Sequence, residues 1–70
     1  GMLTTADCLL VGGGDGVYVA DLNGDHLGTL PTKNSAVNLV TAGEGRHLFV
    51  TIDDGVALFL NWREAIVPTI

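Results

Sequence analysis

Nine residues of this chain come close to occurring twice. Leu9-Leu10-Val11-Gly12-Gly13-Gly14-Asp15-Gly16-Val17 lies without gaps on Leu48-Phe49-Val50-Thr51-Ile52-Asp53-Asp54-Gly55-Val56, 39 residues further along. Five of the nine positions are identical, and a sixth pairs Leu10 with Phe49. In both copies a short apolar run meets Asp-Gly and then a second apolar run. Asp and Gly suit the positive φ angles of a tight turn, so each copy reads as a β-hairpin. The repeat also sets a scale: a unit of about 40 residues is what four short antiparallel strands and their turns require, as in one blade of a β-propeller.

The residues between the copies read the same way. Val17 to Ala20 runs into an Asn23-Gly24 turn, His26 to Leu30 returns and stops at Pro31, and Lys33-Asn34-Ser35 is a polar loop. Ala36 to Val40 then reads as a strand ending at the Gly43-Glu44-Gly45 turn. With Leu9 to Val11, Leu48 to Ile52 and Val56 to Leu60 the pattern predicts six strands, and Ala65-Ile66-Val67 adds a seventh stopped by Pro68. No window of ten or more residues carries a 3.6-residue period, so the fold class is all-β. On this reading residues 2–70 form a single all-β domain of about two partial propeller-type blades. Two blades cannot close a ring. Gly1 before Met2 reads as the remnant of a cleaved tag.

Composition says what such a chain must do with its surface. Seventy residues can bury only a modest fraction of their area alone. Yet 47% are hydrophobic, ten more are Gly, and only 16% are charged, against about 25% in an ordinary domain. The surplus apolar surface is expected to be covered by another copy of the chain, a homo-oligomer, or by a larger partner. The net charge of -5, from eight carboxylates against Lys33, Arg46 and Arg63, argues against nucleic acid, whose phosphates need several cations. The acidic excess reads as a solubility device. Cys8 is the only cysteine, which allows no intramolecular disulfide and suits a small core residue. No apolar run approaches the roughly 18 residues of a membrane span, and no basic region precedes a hydrophobic stretch as in a secretory leader. These features predict a cytoplasmic protein with no membrane partner.

The chemical motifs weaken on inspection. A phosphate loop needs Lys-Ser or Lys-Thr after its last glycine, where Val17-Tyr18 stands. A dinucleotide fingerprint needs a helix there, and Asp15 would repel the anion. Asp21-Leu22-Asn23-Gly24-Asp25 opens like a calcium loop, but its sixth and twelfth positions hold His26 and Thr32 in place of Gly and Glu. A hairpin turn is favoured. Asp53 and Asp54 are adjacent and would point to opposite faces of a strand. His26 and His47 have no cysteine or carboxylate cluster at ligand spacing and read as solvent-facing strand ends. Nothing in the spacing orients Cys8 toward His47 as a nucleophile pair. Trp62 beside Arg63 suggests packing, a cation–π contact or an interface anchor. No catalytic, cofactor-binding or metal residue is assigned.

Gly16-Val17-Tyr18-Val19, Asn23-Gly24, Leu27-Gly28-Thr29-Leu30-Pro31, Asn38-Leu39, Gly43-Glu44-Gly45 and Leu48-Phe49-Val50-Thr51 follow one another in an order and spacing that resembles the C-terminal part of the senescence marker protein and gluconolactonase family. The resemblance covers about 50 residues. It implies a six-bladed propeller and, in complete members, hydrolysis of lactones or related esters by calcium or another divalent metal in the central channel, which polarises the carbonyl and activates water. The family's carboxylate and asparagine ligands lie in earlier blades, upstream of the glycine cluster, and none is matched here; Asn38 is not assigned as one. The chain is therefore expected to be a truncated, non-catalytic propeller fragment that associates with copies of itself. The alternative is an oligomeric binding module or lactone hydrolase with its site between subunits. Three copies of two blades would make a six-bladed ring.

Overall fold

Turn chemistry sets the strand boundaries in the computed structural model, which describes residues 1–36 and 38–68. The elements are β1 (Met2–Thr4), β2 (Cys8–Gly12), β3 (Gly16–Asp21), β4 (His26–Pro31), β5 (Asn38–Ala42), β6 (His47–Ile52), β7 (Gly55–Phe59), the single-turn helix α1 (Trp62–Ala65) and β8 (Val67–Pro68). They form a five-stranded sheet in the order β1-β2-β3-β4-β8 and a three-stranded sheet in the order β5-β6-β7. Every pairing is antiparallel. The all-β expectation holds.

The two repeat copies are the hairpins β2-β3 and β6-β7, and their registers correspond. Leu9 pairs with Ala20, Val11 with Tyr18 and Gly12 with Val17. The counterparts 39 residues on are Leu48 with Phe59, Val50 with Ala57 and Thr51 with Val56. The turn itself differs from the Asp-Gly expectation by one residue: Gly14-Asp15 and Asp53-Asp54 occupy the corners, and the glycine begins the return strand. Gly16 is needed there for closeness, since a Cβ would meet the Leu30 carbonyl at 2.5 Å. The Asn23-Gly24 turn does use a positive φ, +95° at Gly24. At the Gly43-Glu44-Gly45 turn all three residues have positive φ, Glu44 included at 61°.

Three elements depart from the sequence reading by more than one residue. β1 was not expected, because Met2-Leu3-Thr4 is too short to show alternation; it forms by pairing with Leu9 to Val11 of β2. The strand expected from Ala36 starts at Asn38, because the Ala36 amide donates to the Gly13 carbonyl at 2.9 Å; Val37 lies outside the described residues. The expected seventh strand is shortened, with Ala65 inside α1 and only Val67 and Pro68 paired to β4.

The inner faces of the two sheets share one core of Cys8, Leu10, Val17, Val19, Leu30, Ala36, Leu39, Leu48, Val50 and Trp62. Cys8 is thus the buried small residue its neighbours suggested. The connection from β4 to β5 crosses one end of the stack, and β5 lies beside β1 and β2. At the far edge, Gly28 lets β8 approach β4: an added Cβ would meet the Val67 carbonyl and reach Ile66 Cγ2 at 2.6 Å. Gly28→Ala should therefore cost about 1–3 kcal/mol through overpacking, read in urea melts, with faster amide exchange at residues 28 and 29. Unchanged exchange there would show that β8 does not depend on this approach.

Candidate functional site

One end of the stack gathers the two repeat-equivalent turns around the segment Thr32 to Ala36. The Thr32 amide donates to the Asp15 carbonyl at 3.1 Å. Ser35 Oγ donates to the Gly14 carbonyl at 3.4 Å, and Asn34 Nδ2 donates to Asp54 Oδ1 at 2.9 Å. Tyr18 Oη donates to Asp15 Oδ1 at 2.6 Å. That bond, with the Asp15 charge, holds the Tyr18 hydroxyl above its ordinary value. The polar groups here satisfy one another across the hairpins, so the glycine run serves as a joint. It is no anion cradle: the Gly13 amide is spent on the Gly16 carbonyl, and β3 follows the glycines where a helix would be required.

The opposite end is closed by Trp62. Its ring is fully buried, its Nε1–H donates to the Gly45 carbonyl at 2.7 Å, and its own amide donates to the Arg46 carbonyl at 3.2 Å. Asn61 provides no side-chain cap for α1, so burial of Trp62 rather than helix propensity holds that turn. The Arg63 guanidinium lies 4.2 Å from the Trp62 ring centroid and bonds Asp7 Oδ1 at 2.8 Å. Both partners are exposed, and such pairs contribute little. Of the three roles Trp62 suggested, the structure realises packing and the cation–π contact.

The remaining sequence candidates are placed in turns and strand ends. Asp21 Oδ1 accepts the Asn23 and Asp25 amides at 2.9 and 3.0 Å, so the calcium-like run is an Asx-type hairpin turn. His26 Nε2 faces the Gly28 carbonyl at 2.9 Å, and its ring meets Tyr18 edge-on. His47 Nδ1 faces the Leu60 carbonyl. Among the described residues no group of three or more His, Cys, Asp or Glu could hold a metal ion, and no pocket is present. Among the described residues no helix is long and apolar enough to cross a membrane. Burial, then the neighbouring Asp7, pushes the Cys8 thiol above its ordinary 9.0, with Arg63 opposing. The folded thiol keeps its proton at pH values where the unfolded one has lost it. Stability is then expected to fall as pH rises through the unfolded value near 9, and Tyr18 adds a loss in the same direction. Urea melts at neutral and alkaline pH measure this; a Cys8→Ala, Tyr18→Phe double variant should lose part of the slope.

What remains is the pair of outer sheet faces. On the three-stranded sheet, cross-strand pairs put Val40, Phe49 and Leu58 in one outward row, flanked by Thr51 and Val56. Val40, Phe49, Val56 and Leu58 are all exposed. On the five-stranded sheet, Met2, Val11, Tyr18, Thr29 and Val67 form one outward row and Thr4, Leu9, Ala20 and His26 another. The strands contain one charged residue, Asp21 at the end of β3, paired with the buried Cys8. All other Asp, Glu, Lys and Arg side chains sit in turns, loops and α1. Apart from the Asp15 carboxylate that the Tyr18 hydroxyl binds, no described Asp, Glu, Lys or Arg stands on either outer face, whereas an antiparallel sheet that faces water normally alternates apolar with polar. The sequence reading inferred uncovered apolar surface from composition but named none of these residues, because in β2 both sides of the pleat are apolar and in β5 and β6 the polar outer residues Asn38, His47 and Thr51 stand beside Val40 and Phe49.

Fold and surface together define a class: a small two-sheet, all-β protein whose exposed sheet faces, rather than a cleft, are its candidate working surface. No protein family, curated protein or solved structure matches the chain.

Proposed function

We propose that the chain is a propeller-blade module, similar to the C-terminal part of gluconolactonase-like proteins, that works by assembling with further copies of itself and does not catalyse as a single chain. The observation that carries this reading is the pair of outer faces, which hold exposed Val40, Phe49, Val56, Leu58, Met2 and Val67 and no Asp, Glu, Lys or Arg from their own strands. A blade inside a propeller is covered on both sides, which accounts for apolar residues on both faces of each sheet. The path of the chain supports it too: successive strands step outward from β1 to β4, and the next sheet starts beside β1 and β2 at β5. Each copy offers two apolar faces on opposite sides, so an assembly that covers both is a ring or an open stack, and three copies would supply six blades. A cytoplasmic setting fits, since the lone Cys8 stays reduced there.

Light scattering on a size-exclusion column, with and without calcium, tests the reading. A mass several times the 7.3 kDa of one chain is expected, and calcium should leave it unchanged because apolar contacts need no cation. A folded monomer would overturn self-assembly and leave the two sheets as a free-standing sandwich. A calcium-dependent mass would put a cation at the interface in place of the apolar contact.

A further inference from the structure

The two repeat copies turn opposite faces to the shared core. Leu10, Val17 and Val19 are fully buried at 0% exposure, while their equivalents 39 residues on, Phe49, Val56 and Leu58, are 40%, 64% and 48% exposed. Conversely Leu48 and Val50 are buried at 0%, while their equivalents Leu9 and Val11 lie on the outer face of the five-stranded sheet, only partly covered. Registers correspond pair for pair, so this is a change of face and not a slip of strands. Within the chain, then, the Leu10-Val17-Val19 face of one repeat packs on the Leu48-Val50 face of the next. The exposed Phe49-Val56-Leu58 face occupies the repeat positions of the first surface, and the Leu9-Val11 face those of the other.

We infer that the outer face of the three-stranded sheet docks on the outer face of the five-stranded sheet of a second copy, head to tail, so that the contact between chains repeats the contact within one. The inference rests on the self-association reading and names its interface. One kind of contact covers both faces of every copy. A pairing of like faces has no counterpart within the chain and leaves the other face of each copy bare. Among the described residues, the only acidic group held against either surface is the Asp15 carboxylate, which the Tyr18 hydroxyl already binds at 2.6 Å. The chain is flat, with extents of 32 × 27 × 19 Å, and its broad faces are of the order of the ~800 Å² per partner that a specific interface buries.

The test uses one variant of each face, Phe49→Lys on the three-stranded sheet and Tyr18→Lys on the five-stranded sheet, with Leu58→Lys and Met2→Lys as second choices if either fails to fold by circular dichroism. Each variant alone should sediment as a folded monomer. An equimolar mixture should form a particle of two chains and no larger, because the intact three-stranded face of the Tyr18→Lys chain meets the intact five-stranded face of the Phe49→Lys chain. If Tyr18→Lys alone assembles like the unmodified chain, like faces pair through the three-stranded sheet and the inference fails while self-association stands. Assembly of Phe49→Lys alone, or a mixture that stays monomeric, overturns it likewise. A monomeric unmodified chain removes the self-association reading itself.

Discussion

Trp62→Ala is expected to lower the stability of the chain by about 3–5 kcal/mol, a large share of what a domain of this size has. The indole is fully buried in the core and its Nε1–H satisfies the Gly45 carbonyl. Truncating a buried Trp costs about 3–5 kcal/mol, and a domain of 70 residues has only roughly 3.5–10 kcal/mol in total. Trp62→Phe keeps most of the packing but strands the Gly45 carbonyl, so it should cost about 1–2 kcal/mol more than the volume change alone. Urea melts followed by circular dichroism measure both, since the only Trp of the chain is then absent as a fluorescence probe. A Trp62→Ala midpoint equal to that of the unmodified chain would mean that this end of the stack does not depend on the indole. The site is demanding because one side chain closes the core, fastens α1 to the Gly43 to Arg46 turn, and carries Arg63 on its face.

The second large effect separates two positions that the repeat makes equivalent. Leu48→Ala should destabilise the chain by about 2–5 kcal/mol, as expected for a buried leucine. Leu9→Ala, at the matching position of the first copy, should cost about 1 kcal/mol or less in the isolated chain, because Leu9 faces outward and is only partly covered. Paired melts at low chain concentration, where assembly does not contribute, read the difference. Equal costs at the two positions would contradict the inversion of faces, and the head-to-tail interface with it.

Much of the fold was legible along the chain because its signals are local. Asn23-Gly24 and the two Asp-Gly sites mark hairpins wherever the rest of the molecule lies, and the 39-residue repeat carries through to matching strand registers. Cys8 was legible as a core residue, and Asp21 as a turn residue, since its carboxylate binds amides two and four residues on. Other features were out of reach for reasons of distance. β1 has three residues and exists only through its pairing with β2. The α1 turn has no cap and no length to nucleate by itself; it forms because Trp62 finds a carbonyl 17 residues away. The candidate surface was legible as an excess of apolar residues and illegible as a set of positions.

By itself, then, the sequence determined an all-β chain and the places of its hairpins, because tight turns are decided by neighbours in the chain; the registers follow corners one residue before the Asp-Gly pairs. Only the tertiary structure decided which side of each hairpin is the inside. In most antiparallel strands the polar residues of a period-two pattern make that choice. Here Leu9 and Leu10 are apolar on both sides of the pleat, so the pattern is silent in the first repeat; in the second only His47 and Thr51, beside the large Phe49, point to the outer side. The stacking of one sheet on the other broke the tie, burying Leu10 in the first repeat and Leu48 in the second and leaving Phe49 and Leu9 facing outward.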